Sequence, residues 1–250
     1  MRWFILVILV ALSECAVAQE AALQFNQANQ LYRAGDFANA VQLYEKVLTN
    51  GYEHPALYYN LGNSYFKRQN IPSAILAYER AKRLAPGDED IAYNLRLAEL
   101  RVVDKIEPIP QLFIVQWWNA FLGLFSSSGW ANVGIAALWL TALAGVLVVL
   151  LRSVLVQRLA VFGGLIFIAI AILSLVCMYQ QYRHEGSDRF AIVFSPTLSV
   201  KSAPDAQSTD LFVIHEGVKV ELLDNVGEWK KIRLVDGKVG WTLSEGMQVI

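Results

Sequence analysis

The chain has 250 residues, of which 55% are hydrophobic and 17% charged, with a mean hydropathy of +0.38 and a net charge of −1. An ordinary soluble domain carries roughly a quarter charged residues, and here the deficit is local: the 75 residues from Pro108 to Tyr182 hold two charges, Arg152 and Arg158. That pattern excludes a single cytosolic domain, a disordered chain and a collagen-like repeat, and the balance of 21 basic against 22 acidic side chains argues against a nucleic-acid partner.

The first twenty residues, MRWFILVILVALSECAVAQE, have the layout of a signal peptide. Arg2 is the positive end, and Trp3 to Leu12 is an apolar core too short to span a bilayer. Ala16-Val17-Ala18 is a small-x-small cleavage site, so residues 1–18 are expected to be removed rather than kept as an anchor. Lipidation of Cys15 is disfavoured by Glu14 before it. Cys15 and Cys177 are the two cysteines, and neither offers a disulfide or a metal-ligand spacing.

A 34-residue period follows. Asn26, Asn60 and Asn94 are each 34 apart, and Asn29/Asn63, Ala40/Ala74, Tyr44/Tyr78 and Glu45/Glu79 repeat at the same interval. Turn chemistry separates the helical patterns at Gly35-Asp36 and Gln69-Asn70. Residues Gly62, Tyr65, Ala74, Tyr78, Ala81 and Pro86 of the second copy (55–88) resemble the tetratricopeptide repeat. The first copy (21–54) matches at Ala28, Ala40 and Tyr44 and departs at Leu31, Val47 and Tyr52. A third helix, Glu89 to Val103, continues the register with Tyr93, Leu97 and Leu100, completes a repeat region over 21–104, and is expected to cover the open end of the stack. Asp88-Glu89-Asp90 opens that helix, where acidic residues favour its dipole.

The asparagines suggest a use. Positions six (Asn26, Asn60, Asn94) and nine (Asn29, Asn63) share one helical face. The resemblance implies that this face lines a concave groove, where amide groups can pair with a partner's peptide backbone. Tyr32, Phe66, Arg33 and Lys67 would add rings and charge. Phe25 and Tyr59 stand where chaperone-binding members carry lysine, so carboxylate clamping is not expected.

Trp130 to Leu151 and Leu159 to Tyr179 are uncharged runs of 22 and 21 residues, each long enough to cross a bilayer. The loop expected between them, Arg152 to Arg158, holds both charges, which places it in the cytoplasm. A cleaved signal places the repeats outside, and two crossings return the C-terminus to the same side. Residues 111–125, with Trp117 and Trp118, read as a helix lying in the membrane interface. The spans contain no Asp, Glu, Lys, Arg or His, which argues against an ion pathway. Ala137, Thr141 and Gly145, facing Gly163-Gly164, are the expected close-approach residues of a hairpin.

From Phe190 onward six short β-runs follow: 190–194, 198–202, 211–214, 219–223, 229–234 and 238–243. Asn225-Val226-Gly227 and Asp236-Gly237 are the expected hairpin turns. The words Leu198 to Pro204, His215 to Val220, Trp229 to Ile232 and Asp236-Gly-Lys-Val-Gly-Trp241 resemble the bacterial SH3-like domain, a small barrel over 190–250. Trp229 and Trp241 are either half-buried core or a ligand shelf.

The fold class is thus a multidomain membrane protein: an α-helical tetratricopeptide solenoid, a two-helix transmembrane hairpin and a small all-β SH3-like barrel. No nucleophile elbow, metalloprotease helix, phosphate loop or carboxylate pair occurs, so neither an enzyme nor a cofactor is expected. The order of parts resembles the BatE-like family of the aerotolerance (Bat) operon. That resemblance implies a scaffold on the bacterial inner membrane with both soluble domains in the periplasm. Its partners would be the von Willebrand A-domain membrane proteins of the same operon and, indirectly, a MoxR-type ATPase, in oxidative-stress tolerance or envelope integrity. The alternative is a protein that senses or binds peptidoglycan through its SH3-like domain.

Overall fold

The computed structural model describes residues 19–107, 109–110, 112–151, 153–185 and 190–250, with 184 and 185 described by backbone alone. Arg152 and the signal peptide expected over 1–18 lie outside the described residues. The chain forms two compact units. One joins the repeats, up to Ile109, with the C-terminal strands; the other holds the apolar helices between Pro110 and Gly186.

In the first unit, α1 (19–33), α2 (Phe37–Thr49), α3 (Pro55–Lys67), α4 (Ile71–Leu84) and α5 (Glu89–Glu99) stack as helix pairs. The 34-residue period reappears as geometry. Gly35 (φ 82°) and Gln69 (φ 61°) end α1 and α3 in the left-handed region. Asp36 then caps α2 by accepting from Asn39 N–H, and Asn70 accepts from Ser73 N–H at the start of α4. Asp88 caps α5 through the N–H groups of Asp90 and Ile91. Ala28, Ala40, Tyr44, Ala74, Tyr78 and Ala81 are all buried. Gly62 shows why small residues sit at the helix crossings: a Cβ there would lie 2.6 Å from Tyr78 Cε1.

α5 departs from expectation. It buries Ile91, Leu95 and Ala98, while Tyr93, Leu97 and Leu100 face outward. It therefore packs on the stack but leaves the end uncovered.

The C-terminal module has seven strands, one more than expected: β1 (Phe190–Val193), β2 (Thr197–Lys201), β3 (Asp210–His215), β4 (Lys219–Val226), β5 (Trp229–Arg233), β6 (Val239–Leu243) and β7 (Met247–Val249). They form one antiparallel sheet in the order β3-β2-β6-β5-β4-β1-β7. Val226 pairs with Trp229, so the β4–β5 turn is Gly227-Glu228 and Asn225-Val226 belong to the strand. Gly227 takes the positive φ that this tight turn requires.

β1 is buried along most of its length, with Ala191, Ile192 and Val193 all buried. An unbroken apolar strand needs cover on both faces, and here one core runs from the sheet into α4 and α5. Ile75, Leu76, Leu95, Ala98 and Val102 share a cluster with Ile192, Val193, Val218, Val220 and Ile250. Polar contacts close its rim. Lys219 Nζ meets Glu79 Oε2 at 2.8 Å, and Arg80 and Arg83 donate to the carbonyls of Val249 and Ile250. Asp104 accepts from the His215 backbone N–H at 2.7 Å and faces its Nδ1 at 2.9 Å. Repeats and sheet share one compact unit.

The second unit comprises α6 (Phe113–Leu122), α7 (Ser127–Leu150) and α8 (Val154–Glu185). Ser127–Leu150 and Val154–Arg183 are long and apolar enough to cross a membrane. The connection is shorter than the expected Arg152–Arg158 loop, because α8 begins at Val154 and takes Arg158 into its second turn. Gln157 Nε2 donates to the carbonyls of Val148 and Leu151, satisfying the end of α7. The seam also differs from the expected one. Gly134, Ala137 and Ala144 are buried against Gly164, Ala171, Ser174 and Cys177, while Gly145 is exposed and Gly163 has open space at its Cβ position. Ser174 Oγ donates to the Trp130 carbonyl at 2.6 Å across the seam. Trp130 is buried, donates to the Leu122 carbonyl, and packs edge-on with Phe125 and at a tilt with Phe121. Trp118 donates to Gln180 Oε1, so α6 is pinned to α8 while Phe113, Ile114 and Trp117 stay exposed.

Candidate partner-binding faces

The first helices of the three units, α1, α3 and α5, bring the asparagines into one ladder. Asn29 Oδ1 accepts from Tyr44 Oη at 2.6 Å and from Asn60 Nδ2 at 2.9 Å. One period on, Asn63 Oδ1 accepts from Tyr78 Oη at 2.7 Å and from Asn94 Nδ2 at 3.1 Å. Asn94 Nδ2 also donates to Tyr59 Oη at 2.7 Å. Four of the five asparagines thus tie neighbouring units together, a role the sequence reading did not assign. Its signal was present: Tyr44/Tyr78, Asn29/Asn63 and Asn60/Asn94 recur in step. Asn26 stands apart and is exposed, because no unit precedes it in the described stack.

The ladder does not use up the amides. Among the described residues, Asn29 Nδ2 and Asn63 Nδ2 are donors without a partner, and Asn60 Oδ1 and Asn94 Oδ1 are free acceptors. None of the four atoms is sealed from solvent. Burial pushes the Tyr44 phenol up to about 12, with Tyr32 adding to the effect and Arg33 opposing it. Burial and Tyr59 likewise raise Tyr32. The Tyr44 phenol therefore stays protonated and keeps donating to Asn29. Tyr32 and Phe66 are half-buried, and Arg33 and Lys67 are exposed at the ends of α1 and α3. The face can present alternating amide donors and acceptors, with two cations near one edge.

The opposite side of α3 carries a concavity that sequence reasoning missed. It holds about 800 Å³ between α2 and α4, is floored by Tyr58, Leu61 and Tyr65, and also borders Gln248. Tyr65 donates to Glu45 and Tyr58 to Glu53, and burial together with Glu53 raises Tyr58 to about 12.

On the sheet, Trp229 and Trp241 are both half-buried. Trp229 pairs with Leu243 and Lys231 with Trp241, so these four side chains share the outer face, away from buried Ile232. Lys231 Nζ lies 5.7 Å from the Trp241 ring centre.

Two family matches fit this geometry. Residues 25–89 match the tetratricopeptide repeat family, and residues 196–248 match the bacterial SH3 domain family. No curated protein matches the chain. Fold and matches together define a chain with a tetratricopeptide-like helical region, two long apolar helices and an SH3-like C-terminal domain. Protein interaction is what its repeat class does, and its two apolar helices suit it to membrane association.

Proposed function

We propose that the protein is a non-enzymatic, membrane-anchored scaffold that grips a partner segment on the face of α1, α3 and α5. The observation that carries this reading is the ladder's residue of free amide groups, donors on Asn29 and Asn63 and acceptors on Asn60 and Asn94, beside Arg33 and Lys67. An extended backbone needs such alternation. We place the scaffold in the bacterial inner membrane, with both soluble parts in the periplasm and α6 lying in the outer interface. The charge pattern and the BatE-like order of parts support a Bat-type complex with von Willebrand A-domain membrane proteins and, through them, a MoxR-type ATPase, in oxidative-stress tolerance or envelope integrity.

The test is affinity purification of the full chain in mild detergent, wild type against Arg33→Glu plus Lys67→Glu. Both side chains are exposed and outside the ladder, so the fold should survive. Loss of co-purifying A-domain proteins from the variant is the expected result; unchanged recovery sinks the groove reading. A periplasm-only reporter placed at residue 152 should be inactive if the orientation is right.

The Trp229–Lys231–Trp241 face favours peptidoglycan binding as a second reading. Retention of the full chain on purified peptidoglycan, lost in Trp229→Ala, would support it.

A further inference from the structure

The repeat shows what belongs on its own open end. Phe25, Asn29 and Tyr32 of α1 are half-buried next to α3, where Asn60 bonds Asn29. Thirty-four residues on, Tyr59, Asn63 and Phe66 of α3 are half-buried next to α5, where Asn94 bonds both Tyr59 and Asn63. Thirty-four further, the equivalents on α5 are Tyr93, Leu97 and Leu100, and these are 61%, 36% and 65% exposed. They form one stripe on the side of α5 opposite Ile91, Leu95 and Ala98.

The two ends of the stack are finished differently. In α3 and α5 the positions turned towards the preceding helix pair are Leu57/Ile91, Leu61/Leu95 and Ser64/Ala98, all buried. In α1 the same positions are Leu23, Gln27 and Gln30, all exposed, and two of the three are polar. That is how a solenoid closes an end. The other end runs the opposite way. Where the repeat has Asn29 and Asn63, α5 has Leu97, an apolar residue on an uncovered face.

We propose that the Tyr93–Leu97–Leu100 stripe docks an amphipathic helix of another protein, seated as the next first helix of the solenoid. The surface is the end of the stack rather than its amide-lined face, and it stands whether or not that face binds a peptide. The chemistry of the incoming helix follows from α3 and α5. It carries an aliphatic residue, a second four positions on and a small residue three beyond that, as in Leu57-Leu61-Ser64 and Ile91-Leu95-Ala98. Between them, Asn60 and Asn94 each donate to an asparagine of the previous unit. Leu97 offers no acceptor, so the incoming helix has an apolar residue there. A second copy stacked head to tail fits badly, because its α1 would bring Asn26, Gln27 and Gln30 against leucines.

The test is site-specific photocrosslinking of the full chain in its native membrane, with benzoylphenylalanine at Leu97, at Tyr93 and, as a control, at exposed Asp224. Adducts to a different polypeptide are expected from Leu97 and Tyr93 and not from Asp224, with the crosslinked segment showing the aliphatic, apolar, aliphatic, small spacing. Leu100→Glu should reduce the Leu97 adduct at least tenfold while leaving the circular dichroism and melting temperature unchanged. Adducts only to a second copy, to α6 of the same chain or to lipid overturn the proposal, as does no adduct or one indifferent to Leu100→Glu.

Discussion

Replacing Asn29 with alanine separates the two roles of the asparagine ladder. Tyr44 is fully buried, and its hydroxyl has Asn29 Oδ1 as its partner at 2.6 Å. Removing the acceptor leaves that hydroxyl unpaired, at about 1–3 kcal/mol for a buried polar group. Asn60 loses a bond as well but is half-exposed and can be hydrated. Asn29→Ala should therefore cost about 2–3 kcal/mol. Tyr44→Phe removes the donor instead and leaves Asn29 bonded to Asn60, so it should cost only about 1 kcal/mol. In the Tyr44→Phe background nothing remains to be stranded, and adding Asn29→Ala should cost about 1 kcal/mol more. The coupling between the two sites is then about 1–2 kcal/mol, within the range for residues in direct contact. Urea unfolding of the detergent-solubilised chain, followed by far-ultraviolet circular dichroism, measures all three. Additive single costs, or an Asn29→Ala penalty below about 0.5 kcal/mol, would refute the structural role. The consequence for binding is direct: loss of a partner from an asparagine variant reports instability as readily as lost contact, whereas Arg33 and Lys67 give a clean readout.

Three further outcomes follow from single positions. Gln69 holds φ 61° where the first repeat has Gly35, so Gln69→Gly should stabilise by about 1 kcal/mol in the same urea assay. Gly217 has φ 88°, and a Cβ there would stand 2.8 Å from Val102 Cγ2, so Gly217→Ala should cost at least about 2 kcal/mol in the same urea assay. Desolvation, with Glu79 beside it, raises the Glu99 carboxyl above its ordinary value. Its contribution is thus fully favourable below the unfolded value of about 4.3 and is lost as pH rises through the higher folded value. Glu99→Gln should melt progressively higher than wild type as pH goes from 4 to 7; a pH-independent difference would show that the carboxyl is not desolvated.

Element types were legible where one local rule decided them. The 34-residue period placed Asn29, Tyr44 and their partners, and the charge gap between Pro108 and Tyr182 marked the apolar helices. What the sequence hid was decided by contacts between distant segments. Tyr93, Leu97 and Leu100 continue the register, but α5 turns Ile91, Leu95 and Ala98 inward as α3 turns Leu57, Leu61 and Ser64, while the sheet of the C-terminal module packs next to Val102. Gly145 looked like the close-approach residue, but helical drift carries the seam through Ala144 instead. The ladder is half visible in the sequence: the asparagine spacing marks one helical face, but nothing local joins it to the tyrosine donors 15 residues downstream.

The shared core also bears on topology, independently of any charge statistic. Ile75 and Leu95 from one end of the chain pack in the same cluster as Ile192, Val193 and Val220 from the other. A bilayer cannot pass through such a core, since its hydrocarbon alone is about 30 Å thick. Repeats and sheet therefore lie on one side, and α7 and α8 cross as a pair or not at all. The β1 sequence Phe190-Ala-Ile-Val193 carries the same constraint in miniature. A strand this apolar needs α4 on its outer face, so β1 and α4 belong to one compact unit although 105 residues separate Leu84 from Phe190 in sequence.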